Sequence, residues 1–373
     1  MKYMGSKRSM LLNGLGDLIA NSAPQTTRFV DLFAGSGAVS IHVATKYDIP
    51  VIASDLQEYS TVLTGAVLER QNELQWERAW SRWHGEAKAV YARYRPPRLE
   101  KVTKKAVTEF REWSLRRDSL PLTKAYGGHF FSPVQATWLD AFRASIPKTK
   151  PERTVAVAAL LHVASRCAAS PGHTAQPFQP GRSANPYIFG AWKKDVPGLS
   201  KDFFISLSKI FARRVGITNT IDANVAADTI KDTDLVFIDP PYSGVQYSRF
   251  YHVFESIATG APGEVSGSGR NPAPHLRPHS RYSIITGAQK AFSELLTKIG
   301  TTGAKCIVTF PANECSNGLS GDTVRAIALE HFKVTEKLVQ SRFSTLGGAD
   351  VKVGNGRAAR HSAEELILTL SPK

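Results

Sequence analysis

Apolar positions in this chain fall into short unbroken runs that stop at a carboxylate or a turn, with stretches of helical spacing between them. "TRFVDLFAGSGAVSIHVA" passes from an apolar run ending on Asp31 through a glycine turn into a helical stretch. "IPVIASDLQEYSTVL" repeats the form, a buried-type strand that ends on Asp55 and runs into a second helix. Further on, "DTDLVFIDPPY", "GAKCIVTF" and "AEELILTL" supply three more strand candidates, with the helical "GAQKAFSELLTKIG" between two of them. Strand, glycine-rich turn, helix and a strand with a terminal carboxylate form the first half of a doubly wound α/β sheet.

Residues from about 75 to 212 break that rhythm. They read as mainly helical and irregular, rich in Trp, Arg and Pro, with the turn-rich "CAASPGHTAQPFQPGRSANP" near their end. The pattern predicts an inserted second domain over 75–212 that divides a sheet domain made of 1–74 and 213–373. No internal repeat is evident. "YGGHFF" (126–131) is expected to pack inside the insertion.

Composition narrows the class. The 373 residues, 42% hydrophobic and 21% charged, are those of an ordinary globular protein. No apolar run approaches ~20 residues, which predicts no membrane span. The N-terminus has too short an apolar core for a signal peptide, so a cytoplasmic location is expected. Cys167, Cys306 and Cys315 form no metal-ligand pair, and the ten histidines show no ligand spacing, so no metal site is expected. Charge adds more: 47 Lys and Arg against 32 acidic residues leave +15, which suggests a polyanionic partner. Nine of those cations lie between Arg93 and Arg117, among them Lys101, Lys104 and Lys105, with Tyr94, Phe110 and Trp113 interleaved. The whole-chain balance favours phosphate contact there over a plain solvated helical face. The loop at 267–283 is a second candidate.

Gly35 and Gly37 would let backbone approach a ligand at the carboxyl edge of the sheet. Asp55, about twenty residues on, sits where an acidic side chain accepts from ribose hydroxyls. A dinucleotide turn wants a third glycine where this chain has Ser40, and a P-loop wants a Gly-Lys-Ser/Thr end that is absent. S-adenosylmethionine carries ribose and adenine but no phosphate, so the shorter "AGSG" turn suffices; a structural tight turn is the plain alternative.

"VFIDPPYSGVQY" (236–247) halts a buried strand on Asp239 and stiffens the chain with Pro240 and Pro241. Neither proline can donate to a ladder, so the strand ends there and nearby groups take fixed directions. Those groups are the Asp239 carboxylate, the Pro240 carbonyl and the Tyr242 ring. Two acceptors can bind the protons of an exocyclic amine and turn its lone pair towards a methyl donor, while Tyr242 stacks on the base. A base inside a duplex would first have to be flipped out. Methylation at cytosine C5 needs a Cys nucleophile after a proline, and no cysteine here is so placed.

Together "DPPY", "DLFAGSGAVS" and the N-terminal "KYMGSK" resemble the Dam-like DNA adenine N6-methyltransferases, in the family's motif order. The resemblance implies a Rossmann-type S-adenosylmethionine-dependent sheet with an inserted, mainly helical DNA-recognition domain. It implies cofactor contacts at Tyr3 and Lys7, at the glycine motif (Asp31, Phe33, Gly35, Gly37), at Asp55 for the ribose and at Asp222 for the adenine. Asp239 would touch both cofactor and target amine, within a catalytic turn of Asp239, Pro240, Pro241 and Tyr242. "QYSRFYH" resembles a downstream aromatic-His stretch and places Tyr251 near the DNA. Tyr3 departs from the commoner Trp. The match covers 1–60 and about 215–255 well and the chain's end weakly.

Three classes stay open on the residues alone. The leading one is an adenine-specific enzyme acting on double-stranded DNA, with a restriction endonuclease or defence-system protein as an associated partner. The second is an RNA- or guanine-directed amino-methyltransferase, and the third a non-catalytic nucleic-acid binder. The intact Asp239, Gly35 and Gly37 argue against the third, and the large basic insertion favours a duplex reader over the second.

Overall fold

Strand β4, Asp234–Ile238, is buried at every position, and the sheet is organised around it. The computed structural model describes residues 7–344 and 360–373. β4 lies between β1 (Arg28–Asp31) and β5 (Lys305–Pro311), both parallel to it. β2 (Val51–Asp55) and β3 (Ile217–Thr220) extend the parallel array beyond β1. β7 (Arg360–Pro372) runs antiparallel to β5, and β6 (Phe332–Ser344) antiparallel to β7. The resulting order is β3-β2-β1-β4-β5-β7-β6, a seven-stranded, mostly parallel sheet.

Alternation along β4 divides the core into two layers. Val236 and Ile238 pack with Val30, Val308 and Leu368 under the helices Ile285–Gly300 and Gly321–His331. Leu235 and Phe237 pack with Phe29, Val51 and Ile307 against Leu15, Ile19, Val39 and Val43 on the opposite layer. Strands covered on both faces need continuous apolar residues, which is why β1, β2, β4 and β5 stand out in the sequence. β3 and β6 do not. β3 is a short edge strand, "ITNT", exposed at three of its four positions, and β6 is a polar-rich edge strand.

The chain divides into two compact units. One contains residues up to Gln71, Phe211–Tyr247 and Pro278–Lys373, and carries the sheet. The other contains Asn72–Ile210 and Ser248–Arg277. The sequence pattern places its boundary near these first two crossings, but puts Ser248–Arg277 with the sheet. That stretch contributes a helix, His252–Thr259, and a two-stranded hairpin (Val265–Ser266 with Asn271–Pro272) to the helical unit instead.

Within the helical unit, Trp83 is the anchor. It is 1% exposed, lies edge-on to Phe142 at 4.9 Å between ring centroids, and donates its Nε1–H to the Phe142 carbonyl at 2.9 Å. The helix Pro133–Ala144 begins with a capping box between Ser132 and Gln135, which satisfies backbone donors that would otherwise be buried unpaired. Phe130 and Phe131 of "YGGHFF" are fully buried, as packing predicts. Among the described residues, no helix is long and apolar enough to cross a membrane.

Candidate active site

The site is assembled at the carboxyl edge of the sheet, where parallel strands end and their last residues are free to turn. β1 ends on Asp31, and the chain turns through Gly35 (φ 53°) and Gly37 (φ 73°), both left-handed. A side chain at position 37 would also meet Thr64 Oγ1 at 2.8 Å, so glycine is required there twice over. The helix Ala38–Lys46 starts directly after it. Gly35 donates its N–H to Asp55 Oδ2 (2.8 Å) and Gln57 donates to Asp55 Oδ1 (2.9 Å), which ties the end of β2 to the glycine turn. Burial holds this carboxyl above the usual range, partly offset by those backbone donors.

Asp31 is a different kind of carboxylate. It is 1% exposed, with Oδ2 accepting from Ser40 Oγ at 2.5 Å and Oδ1 from the Phe33 N–H at 3.2 Å. It shapes the turn from within, tying the end of β1 to the start of the following helix. Burial pushes it up to about 7. Phe33 is partly buried and stands edge-on to Tyr282 at 5.0 Å.

Beyond β4, Lys7 bridges the carboxylates of Asp239 and Glu365. Lys7 Nζ lies 3.0 Å from Asp239 Oδ1 and 3.0 Å from Glu365 Oε2. Lys7 and Glu365 are each 4% exposed, against 18% for the Asp239 side chain. Thr309, on β5, donates its hydroxyl to the same Asp239 Oδ1 at 2.9 Å. Asp239 Oδ2 accepts from none of the described residues. Burial pushes Asp239 above the ordinary carboxylate range; Lys7 pulls it down and Glu365 pushes it up again. Burial alone would depress the Lys7 ammonium, but the two carboxylates together raise it, so it stays charged.

Glu365 arrives because β7 runs antiparallel to β5 and sets Glu365 opposite Pro311, at the end of that strand. Two adjacent glutamates at the head of an apolar strand carry no motif, and only the strand pairing brings the second of them to Lys7. Asn317 is the other residue that sequence reasoning missed. It is fully buried and donates its Nδ2 to the carbonyls of Pro241 (2.8 Å) and Tyr282 (3.0 Å), while Oδ1 accepts from the Leu319 N–H (3.2 Å). It therefore fastens the second proline of the turn. The Pro240 carbonyl accepts from no described donor. Tyr242 lies partly buried on the core, edge-on to Tyr247.

Asp222 caps the short helix Ala223–Ala226, accepting from the Asn224 N–H at 2.9 Å, just past the end of β3. Tyr3 lies outside the described residues. Lys101, Lys104 and Lys105 are exposed in the helical unit; Lys104 and Lys105 open the helix Lys104–Leu115, capped by Thr103. Tyr251 is 0% exposed and stacks near Phe254 inside the helical unit.

Among the described residues, no group of three or more His, Cys, Asp or Glu is placed to hold a metal ion. The chain is 26% identical over 314 residues to the modification methylase LlaI of Lactococcus lactis subsp. lactis, covering 81% of this chain and 45% of that protein. It is 24% identical over 312 residues to the type II methyltransferase M.FokI of Planomicrobium okeanokoites, covering 80% of this chain and 43% of that protein. The chain thus spans less than half the length of either relative. The family model of the D12 class N6 adenine-specific DNA methyltransferases matches residues 3–126 and 189–298, more than half of the chain. Glycine turn, Asp55 and DPPY turn meet at one sheet edge, and with that match the chain belongs to the D12 class N6 adenine-specific DNA methyltransferase family.

Proposed function

We propose that this chain transfers a methyl group from S-adenosylmethionine to the N6 amino group of adenine in double-stranded DNA, with the target base flipped out of the helix. The observation that carries the reading is the division of labour at Asp239. Its Oδ1 is anchored by Lys7 and Thr309, and its Oδ2 is left for a further donor beside the unclaimed Pro240 carbonyl. Two fixed acceptors side by side suit the two protons of an amino group, whose lone pair is otherwise delocalised into the base. Pro240 and Pro241, held by Asn317, keep those acceptors from relaxing. Tyr242 supplies a face for the base.

The donor set at the sheet edge fits the cofactor. When bound, S-adenosylmethionine supplies an electrophilic methyl on a sulfonium. Asp55 presents a carboxylate to ribose hydroxyls at the end of β2, and Gly35 and Gly37 present backbone without side chains. Asp222 stands past the next strand over, where an adenine amine would find an acceptor. Phe33 and Tyr3 complete the apolar and aromatic contacts by family resemblance, and Lys7 positions Asp239. Lys101, Lys104 and Lys105 supply cations for the DNA backbone. Both relatives are named as modification or type II enzymes, which supports a restriction endonuclease as a cellular partner of a cytoplasmic protein.

Incubation with S-adenosylmethionine and duplex DNA, then nucleoside analysis, tests the reading. N6-methyladenine is expected. Methylguanine as the only product, or turnover on RNA alone, would move the assignment to the second class.

A further inference from the structure

Some arginines of the helical unit have a carboxylate partner, as Arg82 has in Glu152, and others have none among the described residues. Arg28, Arg281 and Arg325 in the sheet unit each pair with a carboxylate. Arg111, Arg249, Arg270 and Arg277, all in the helical unit, pair with none among the described residues. Two of them hold one short turn. Arg111 donates Nε to the Gly128 carbonyl (2.9 Å) and Nη2 to Gln179 Oε1 (3.0 Å). Arg270 donates Nε to the Ala125 carbonyl (2.8 Å) and Nη2 to that of Lys124 (3.4 Å).

Arg270 does so from the left-handed region (φ 52°), the only non-glycine there among the described residues. That conformation is unfavourable for a residue with a Cβ and persists only where the surroundings impose it. Burial lowers the Arg111 pKa, and the like charge of Arg270 lowers it further. His129, in the same turn, is pushed down to about 3 by burial and by both arginines, so it is neutral and adds no further positive charge. A second like-charge pair follows: Arg249 bears on Arg277, whose Nε is buried with no acceptor.

Three partly buried guanidiniums, Arg111, Arg270 and Arg277, are expensive to hold without an anion, and the exposed Arg249 adds a like charge to Arg277. Guanidinium forks match phosphate oxygens in geometry as well as charge. We infer that Arg111, Arg249, Arg270 and Arg277 form a seat for the phosphate backbone of duplex DNA, with Arg270 delivered by the hairpin of Val265–Ser266 and Asn271–Pro272. The inference rests on the proposed function for its choice of polyanion. It shifts the main grip from Lys101, Lys104 and Lys105, which are exposed on flexible stems and, at a helix start, oppose the dipole.

The test is equilibrium binding of a labelled random-sequence duplex by the full chain across a salt series. Each lost phosphate contact flattens the log–log salt slope by about 0.9. Arg249→Gln with Arg277→Gln removes two charges without touching the turn, and should flatten the slope by about two and weaken binding at least tenfold. Arg111→Gln with Arg270→Gln should do the same. Arg111→Lys with Arg270→Lys should restore most of the slope and separates charge from folding. S-adenosylmethionine affinity should not move in any of them. An unchanged slope in the Arg249/Arg277 variant overturns the inference, as does a loss confined to the Lys101/Lys104/Lys105 triple variant. Inorganic phosphate at matched ionic strength should displace the duplex no better than chloride; specific displacement would mean a free-phosphate site and would also overturn it. A wild-type chain that binds no duplex and forms no N6-methyladenine would instead sink the proposed function.

Discussion

Buried charge is handled in opposite ways by the two units. The sheet unit gathers four carboxylates, Asp31, Asp55, Asp239 and Glu365, at one strand edge and gives two of them a single shared lysine. The helical unit saturates its buried carboxylate: Asp140 accepts from the N–H groups of Leu122 and Thr123 and from the Thr123 hydroxyl. There the half-buried guanidiniums of Arg111 and Arg270 stand on neutral acceptors without counter-ions, unlike Arg82, which pairs with Glu152. One unit is short of donors and the other short of anions. Under the proposed function, a ribose and an amino group would supply donors and a nucleic acid backbone anions. Groups that only hold a fold together are satisfied from within, as Asp140 is.

The comparison is broken most directly at Asp239. Asp239→Ala should reduce methyl transfer by about two to three orders of magnitude, the size expected for a preorganised polar group at the reacting atom, while cofactor binding stays measurable by calorimetry. Substantial turnover in that variant would reduce the open Oδ2 to a structural detail.

Asn317→Ala comes next. It orphans the Pro241 and Tyr282 carbonyls at about 1–3 kcal/mol each, so thermal stability should fall. The turn should also loosen, lowering kcat more than it raises the KM for S-adenosylmethionine. An unaltered kcat would mean that the two prolines hold the acceptors unaided.

The acid limb of the rate profile sharpens the electrostatics. Burial and Glu365 raise the Asp239 pKa while Lys7 lowers it, and the acceptor role needs the carboxylate. Lys7→Met should therefore move the limb to higher pH and Glu365→Gln to lower pH. Shifts in the same direction for both variants would contradict the assigned neighbours.

The smallest effect is on stability against pH. Asp31 is raised to about 7, so the folded state binds its proton more tightly than the unfolded chain. Its stabilising contribution is complete below its ordinary pKa near 4 and is lost as pH rises through about 7. His252 and His129 in the helical unit are depressed, to about 4 and about 3, mainly by burial, so theirs is present above the ordinary 6.5 and lost as pH falls. Asp140, raised to about 6, runs with Asp31 and offsets part of this. Asp31→Asn should gain thermal stability relative to wild type between pH 5 and pH 8, at roughly 1.4 kcal/mol per pH unit at most. A constant difference across that range would show that Asp31 does not titrate there.

Much of the sheet unit was readable because its signals are local. Continuous apolar strands, a left-handed glycine turn and a proline pair at a strand end each impose their conformation within a few residues, so the amino-acid order alone determined β1, β2, β4, β5 and their functional tips. The edge strands β3 and β6 escaped because an edge can be polar. The resemblance of "QYSRFYH" puts Tyr251 near the DNA, and its burial is not legible because sequence does not report exposure. What tertiary structure alone decided is long-range: Glu365 reaches Lys7 across 358 positions, and Asn317 reaches Pro241 across 76. Arg270 reaches the carbonyl of Ala125 across 145. Such contacts depend on strand pairing and packing, which bring together residues whose own neighbours carry no sign of the meeting.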